Sequence, residues 1–302
     1  MAQNFTPLLS TTDWNEEWKE LQRIRRHADD ATYWDARAKT FATKDAPNPY
    51  VERFLALAGV REGECVFDMG CGTGALSIPL AQAGHAVVAA DFSAGMLGEL
   101  RRAAGELGAE GVETIQMSWS DDWAAHGVAE KSADVAFASR SIATSDLADS
   151  LARLTHVARR RVCITLSTGS SPRTDERLLA ELGVKRPYGN DFQYALNILI
   201  NAGYRPEISY IPSRRTDTFA SPEDAADALG RMVRDVLGEA PAEGELEEAR
   251  ARLSAWLETN LERNPDEGKA DKKGVVQGAW RLVRPRIMNW AFIAWNVEER
   301  YA

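Results

Sequence analysis

From residue 65 onward, short apolar runs alternate with amphipathic stretches. The runs CVFDM (65–69), AVVAAD (86–91), ETIQMS (113–118), ADVAFAS (133–139), RVCITLS (161–167) and PEISYIP (206–212) predict strands. Between them, 76–83, 93–107, 146–159 and 191–202 place apolar residues at helical spacing. Ser93 is a fitting N-cap, and Gly84 and Gly203 are fitting stops. Pro79 falls inside the first helical pattern, where an interior proline costs about 3 kcal/mol. That helix therefore either kinks or starts late, near Ser77. Such alternation predicts a parallel α/β sheet with helices on both faces.

Two segments stand outside the alternation. Before it, 13–26 places Trp14, Trp18, Leu21 and Ile24 close to one helical face, with Asp13 and Glu16 as a capping pair. After it, 221–238 opens with Ser221 as N-cap and Pro222 at the first helical position, and closes on Gly238. A second helix is expected around Leu246, Ala249, Leu253, Trp256 and Leu257, followed by a polar segment, 264–274, expected to be mobile. The dense apolar run RIMNWAFIAWNV (286–297) suits a final strand. The expected layout is one open sheet whose last strand follows a helical insertion. The N-terminal helices and the insertion would pack over one edge.

Charge and cysteines narrow the function classes. A formal net charge of −9 disfavours nucleic acid as a partner. The arginine groups Arg23, Arg25 and Arg26, Arg159 to Arg161, and Arg214 with Arg215 are interspersed with carboxylates and read as solvated faces. With 44% hydrophobic and 27% charged residues the composition is that of a soluble globular chain. Cys65, Cys71 and Cys163 show no paired metal-ligand spacing, so free thiols and no metal site are expected. The N-terminus lacks the basic start and apolar block of a signal peptide, and no run approaches the roughly 18 apolar residues of a span. A cytoplasmic protein without membrane contact is the expectation.

The stretch FDMGCGTGALS (67–77) follows the first strand and spaces Gly70, Gly72 and Gly74 closely. A dinucleotide loop of the G-x-G-x-x-G kind would lay pyrophosphate on the helix N-terminus. Asp68, just before the glycines, would oppose that charge and suits a cationic group instead. No Lys-Ser or Lys-Thr follows, which excludes a phosphate-binding P-loop.

VFDMGCGTG (66–74) resembles the first motif of the class I S-adenosylmethionine-dependent methyltransferases. The resemblance implies a Rossmann-like, doubly wound, mostly parallel sheet with an antiparallel last strand. It also implies S-adenosyl-L-methionine as cofactor. The loop of Gly70, Cys71, Gly72 and Gly74 would approach the methionyl part, and Asp68 would lie near its amino group. Asp91, about 20 positions on, would accept both ribose hydroxyls, with Phe92 and Met96 beside the adenine. After the third strand the family's acidic residue falls on Ser118, with Asp121 and Asp122 close behind. Trp119 either covers the adenine or belongs to the core. YWDARAKTF (33–41) resembles a segment that folds over the cofactor in small-molecule members. There Tyr33 and Trp34 would shield the sulfonium, unless they only staple the helix to the core, and Arg37 would meet the cofactor carboxylate.

The resemblance spans about 49–210 and the last strand. It divides the chain into an N-terminal helical cap (1–48), a cofactor-binding core (49–216 and 278–302) and a helical insertion (217–277). The insertion is expected to be a lid over the pocket, a homodimer surface or a partner surface. Methyl transfer from a sulfonium is an in-line displacement that asks mainly for alignment and exclusion of water. No acid–base pair is evident, and His27, His85, His126 and His156 are scattered. Ser139 and Arg140, after the fourth strand, are the expected acceptor contacts, together with Tyr33. The N/D-P-P-Y/F signature of amide-nitrogen methyltransferases is absent here. The expected activity is therefore transfer to a small-molecule acceptor. The alternatives are an enzyme acting on RNA or protein, and a non-catalytic cofactor-binding protein.

Overall fold

The computed structural model describes residues 12–25, 31–41, 49–171, 174–185, 190–238, 242–271 and 275–300. Arg26, His27 and parts of the 1–48 segment lie outside them. Helices α1 (Trp14–Arg25), α2 (Ala31–Phe41) and α3 (Pro49–Ala58) precede the sheet. The alternating part then runs β1 (Val66–Met69), α4 (Ser77–Gln82), β2 (Val87–Asp91), α5 (Ala94–Glu106) and β3 (Val112–Gln116). It continues with β4 (Ala133–Ser139), α6 (Leu147–Val157), β5 (Ala158–Ser167), α7 (Glu176–Glu181), α8 (Asp191–Asn201) and β6 (Glu207–Arg215). The last strand, β10 (Arg286–Asn296), follows the insertion.

The strand order is β3-β2-β1-β4-β5-β10-β6. β1 pairs parallel with β2 and β4, while β10 runs antiparallel between β5 and β6. This is a mostly parallel Rossmann-like sheet with an antiparallel last strand, as the sequence implied. The period-2 alternation of side chains builds two apolar layers. Phe67, Ala136, Ile164, Ile293 and Trp295 face a layer shared with Trp18 of α1, Leu151 of α6 and Tyr194 of α8. Val66, Phe137, Cys163 and Phe292 face the other, with Phe54 of α3, Leu80 of α4 and Leu97 of α5. Burial on both sides explains why the central strands read as continuous apolar runs.

Local chemistry sets the helix starts. α4 begins at Ser77, so Pro79 sits in its first turn, where its missing N–H costs no helical bond. Ser93 accepts the Met96 N–H as N-cap of α5. Ser221 caps helix α9 (Pro222–Leu237) through the Asp224 N–H, with Pro222 at its start. α6 ends sooner than the apolar spacing implied, because Ala158 already enters β5 beside β4.

The N-terminal helices do not share one edge of the sheet, contrary to expectation. α1 packs on α6 and α8, its buried Trp18 standing 5.6 Å from the Tyr194 ring, and Arg25 pairs with Asp191 at 2.6 Å. α2 packs against α5 beside β2, where Asp35 accepts from Ser93 Oγ at 2.5 Å and from the Gly95 N–H at 2.8 Å. The insertion forms a separate apolar cluster. α9 packs on α10 (Glu245–Asn260), next to a small sheet of β7 (Thr218–Phe219), β8 (Leu261–Arg263) and β9 (Trp280–Leu282). Leu178 and Leu179 of α7 join that cluster. The 264–274 segment, expected to be mobile, is hydrogen-bonded in its described part. Asn264 is buried and donates to the Gly278 carbonyl, and Ala270 bridges Val276. No described helix is long and apolar enough to cross a membrane.

Candidate active site

The carboxyl ends of β1, β2 and β4 meet one cavity of about 1300 Å³. Open α/β sheets place their ligands at this end of the strands. The chain leaves β1 in a tight turn in which the Gly70 and Cys71 N–H groups both donate to the Ala90 carbonyl, at 2.7 and 3.0 Å. Gly70 (φ 72°), Gly72 (φ 55°) and Gly74 (φ 87°) all take left-handed backbone. At Gly70 a side chain is excluded twice over, since a Cβ would overlap the Ser141 side chain, which itself donates to the Met69 carbonyl at 2.7 Å. Gly70, Cys71 and Gly72 line the cavity. Gly74, expected to line it too, instead faces α5, where a Cβ would come within 2.9 Å of Leu100. Its task is close helix packing.

Asp68 is buried beneath this loop and accepts from Ser77 Oγ at 2.7 Å. Burial pushes its carboxyl up to about 6, and the nearby Asp91 adds to the rise. Asp91 uses one oxygen to accept the Gly72 N–H and the other to accept the Ser93 N–H, both at 2.9 Å. Burial raises its pKa as well. Each oxygen keeps a lone pair for a further donor, so the carboxylate both fastens the loop to β2 and remains open to a diol. Two buried carboxylates with no ion-pair partner among the described residues suit a ligand that carries positive charge and hydroxyls.

Phe92, Met96, Ser118 and Trp119 complete this side of the cavity. Trp119 serves both readings: it lines the cavity, packs 5.5 Å from the Trp123 ring, and donates its indole N–H to the Ser141 carbonyl at 3.0 Å. Asp121 and Asp122 do not take the place of the missing acidic residue. Asp121 accepts the Ser118 N–H at 2.8 Å and Asp122 the Ala124 N–H at 3.1 Å, so both hold the loop rather than line the cavity. From α2, Trp34 reaches the cavity, whereas Tyr33 and Arg37 do not. Tyr33 is exposed and stacks edge-on against Trp34 at 5.3 Å, with the Arg37 guanidinium 5.3 Å from its ring. A helix shows one face inward, and Trp34 occupies it.

On the β5 side stands a group that sequence reasoning missed. Tyr50 of α3 is buried, and its hydroxyl shares hydrogen bonds with Ser139 Oγ (2.7 Å) and Thr165 Oγ1 (2.8 Å). Burial raises the phenol pKa, with the Arg140 charge acting against the rise. Tyr50, Ser139 and Arg140 all line the cavity. Apolar residues at Tyr50, Phe54 and Ala58 after Pro49 carried the helical spacing that would have revealed α3. Trp18 of α1 donates its indole N–H to the Thr144 carbonyl at 2.7 Å, tying the N-terminal helix to the loop after β4. No described residue of 217–277 lines the cavity. No cluster of His, Cys, Asp and Glu among the described residues could hold a metal ion.

Comparison with known proteins agrees with this geometry. Residues 66–161 match the methyltransferase domain family. An uncharacterised protein of Haemophilus influenzae is 29% identical over 267 residues, 88% of this chain and 89% of that protein. The magnesium-protoporphyrin O-methyltransferase of Synechocystis is 44% identical over 68 residues, 22% of this chain and 30% of that one. Among solved structures, the YcgJ protein of Bacillus subtilis shares the fold at a TM-score of 0.50 with 14% identity, covering 84% of this chain and 99% of that one. The matched segment contains the glycine loop, Asp68, Asp91 and the cavity ends of β1, β2 and β4. The chain therefore carries a methyltransferase domain over residues 66–161, in the Rossmann-like fold that the YcgJ protein shares.

Proposed function

We propose that the protein transfers the methyl group of S-adenosyl-L-methionine to a small-molecule nucleophile held in the same cavity. The observation that carries the reading is the cavity itself. At about 1300 Å³ it exceeds the roughly 300–1,000 Å³ that buries one drug-sized ligand. Its lining includes the glycine loop and Asp91 together with Tyr50, Ser139 and Arg140.

The cofactor supplies an activated methyl group, which passes in line to a lone pair of the acceptor while the C–S bonding electrons leave with sulfur. The protein's own residues then have to bind, align and keep water out. Asp68, once ionised, balances the cofactor's amino group, and Asp91 accepts its ribose hydroxyls. Trp34 and Trp119 supply aromatic walls. No histidine lines the cavity among the described residues, and the Tyr50 phenol is poised as a neutral hydrogen-bonding group because its pKa is raised. The residues thus align an acceptor that is already nucleophilic. The name of the Synechocystis relative points to a small molecule as that enzyme's acceptor, which supports the same class here.

The test is turnover with cofactor bearing a deuterated methyl group in a bacterial metabolite extract. S-adenosylhomocysteine should accumulate together with a labelled small molecule. Label found only in RNA or protein would overturn the acceptor class, and binding without any turnover would overturn catalysis.

A further inference from the structure

We propose that Arg140 is the specificity determinant for the acceptor, and that the acceptor carries a carboxylate or phosphate group. The inference rests on the cavity being a methyl-transfer site and adds the chemical class of its second ligand.

Among the cations that line the cavity, Lys19 is neutralised by Glu16 at 2.8 Å and Asp146 at 3.1 Å, Arg23 by Glu20, and Arg153 by Asp149 at 2.6 Å. Arg140 differs: among the described residues no carboxylate lies within ion-pairing distance of its guanidinium. Instead the group lies 4.2 Å from the Tyr50 ring centroid and 5.7 Å from that of Trp290. Cation–π contact with these rings holds the guanidinium at the cavity wall without neutralising its charge. An uncompensated guanidinium at a cavity wall is suited to receive an oxyanion through its fork of N–H donors.

The backbone carries a second, independent mark. Arg140 has φ 60°, a left-handed conformation that costs a non-glycine residue about 1–2 kcal/mol. The Arg140 N–H donates to Thr165 Oγ1 at 3.0 Å, which holds the turn. The residue is exposed, lines the cavity and is not a member of either apolar cluster, although its guanidinium rests on two of their rings. Strain kept at such a place points to a ligand.

Position separates this oxyanion from the cofactor's own carboxylate. The acidic cofactor ligands stand on β1 and β2, whereas Arg140 leaves β4 and leans toward β5 and β10, where Thr165 and Trp290 lie. Adjacent strands are about 4.8 Å apart, so the fork faces the half of the cavity beyond the glycine loop. Tyr50 and Ser139, which share a hydrogen bond, line that half.

The experiment loads the full-length protein with S-adenosylhomocysteine and incubates it with a bacterial metabolite extract. Retained molecules are recovered by ultrafiltration and identified by mass spectrometry. The wild type should retain one or a few anionic molecules. Arg140→Gly, which keeps the left-handed turn without strain, should retain them at least about tenfold less, with Arg140→Lys intermediate. Both variants should bind S-adenosylhomocysteine within about twofold of wild type by calorimetry, because the lost contact is to the acceptor. Retention of only neutral or cationic molecules, of nothing, or of the same anions on Arg140→Gly would overturn the proposal. So would a tenfold loss of S-adenosylhomocysteine affinity in that variant, which would give the fork to the cofactor carboxylate. Labelled-methyl transfer to the captured molecule is scored separately. Its failure would count against methyl transfer while the capture result still decides the role of Arg140.

Discussion

Asp68 is the residue in which sequence, burial and chemistry meet most closely. In the free protein its carboxyl titrates at about 6, against 3.8 for an exposed aspartate. The folded state therefore holds the proton more tightly than the unfolded chain. This contribution to stability is present below pH 3.8, is lost as pH rises toward about 6, and stays level above. Cofactor binding runs the other way, because the cationic amino group needs the ionised form. Calorimetric affinity for S-adenosylmethionine should be level above pH 6 and fall below it, by up to about tenfold per pH unit. Asp68→Asn should bind weakly, with a flatter pH profile. An unchanged affinity between pH 5 and 7 in the wild type would remove Asp68 from the cationic end. Gly70 allows a sharper steric test. Gly70→Ala adds a Cβ where Ser141 already stands and forces a left-handed alanine, so it should lower thermal stability by more than the roughly 1–2 kcal/mol of the backbone strain alone. A wild-type melting temperature in that variant would contradict the close packing of the loop.

At the scale of elements, the local rules placed most boundaries, and the misreadings have physical causes. Ser93 was legible as a cap, and Pro79 is resolved by falling in a first turn. The sequence could not show that Ser93 also donates to Asp35 of α2, a residue that reads as part of a solvated helix face. Burial of that hydroxyl depends on α2 packing against α5, and nothing in local periodicity reports it. Ser93→Ala should therefore cost more than the ~1 kcal/mol of an ordinary cap, because the Met96 N–H and the Asp35 carboxylate both lose a partner. Chemical denaturation of Ser93→Ala beside Asp35→Ala and the double variant measures the coupling. Strictly additive losses would contradict a shared contact. Tyr33 and Arg37 lie off the cavity lining for a related reason: the segment was recognised by its aromatic residues, but which of them faces inward is set by the rotation of the helix on α5. The β10 strand was legible from its dense apolar and aromatic run, of which Trp290 to Trp295 is buried throughout.

For the whole molecule, the sequence showed which loop and strand-end carboxylates line one part of the cavity and little of the part around Tyr50. Asp68, Asp91 and the glycines are close in sequence to the strands that position them. Tyr50, Thr165 and Trp290 come together only when α3 and β10 pack against β5. The apolar layers explain this asymmetry. The glycine loop is built by one strand–turn–helix unit, whereas the wall around Tyr50 needs elements more than a hundred residues apart, as the Tyr50–Thr165 contact shows. The described part of the insertion forms its own apolar cluster and contributes no residue to the cavity lining. The central claim is that the Asp91 end of the cavity binds S-adenosylmethionine, and it is tested most directly by calorimetric titration of wild type and Asp91→Ala with that cofactor. The wild type should bind, and the variant, with its helical content checked by circular dichroism, should bind at least about tenfold more weakly. An unchanged affinity in Asp91→Ala would contradict the site.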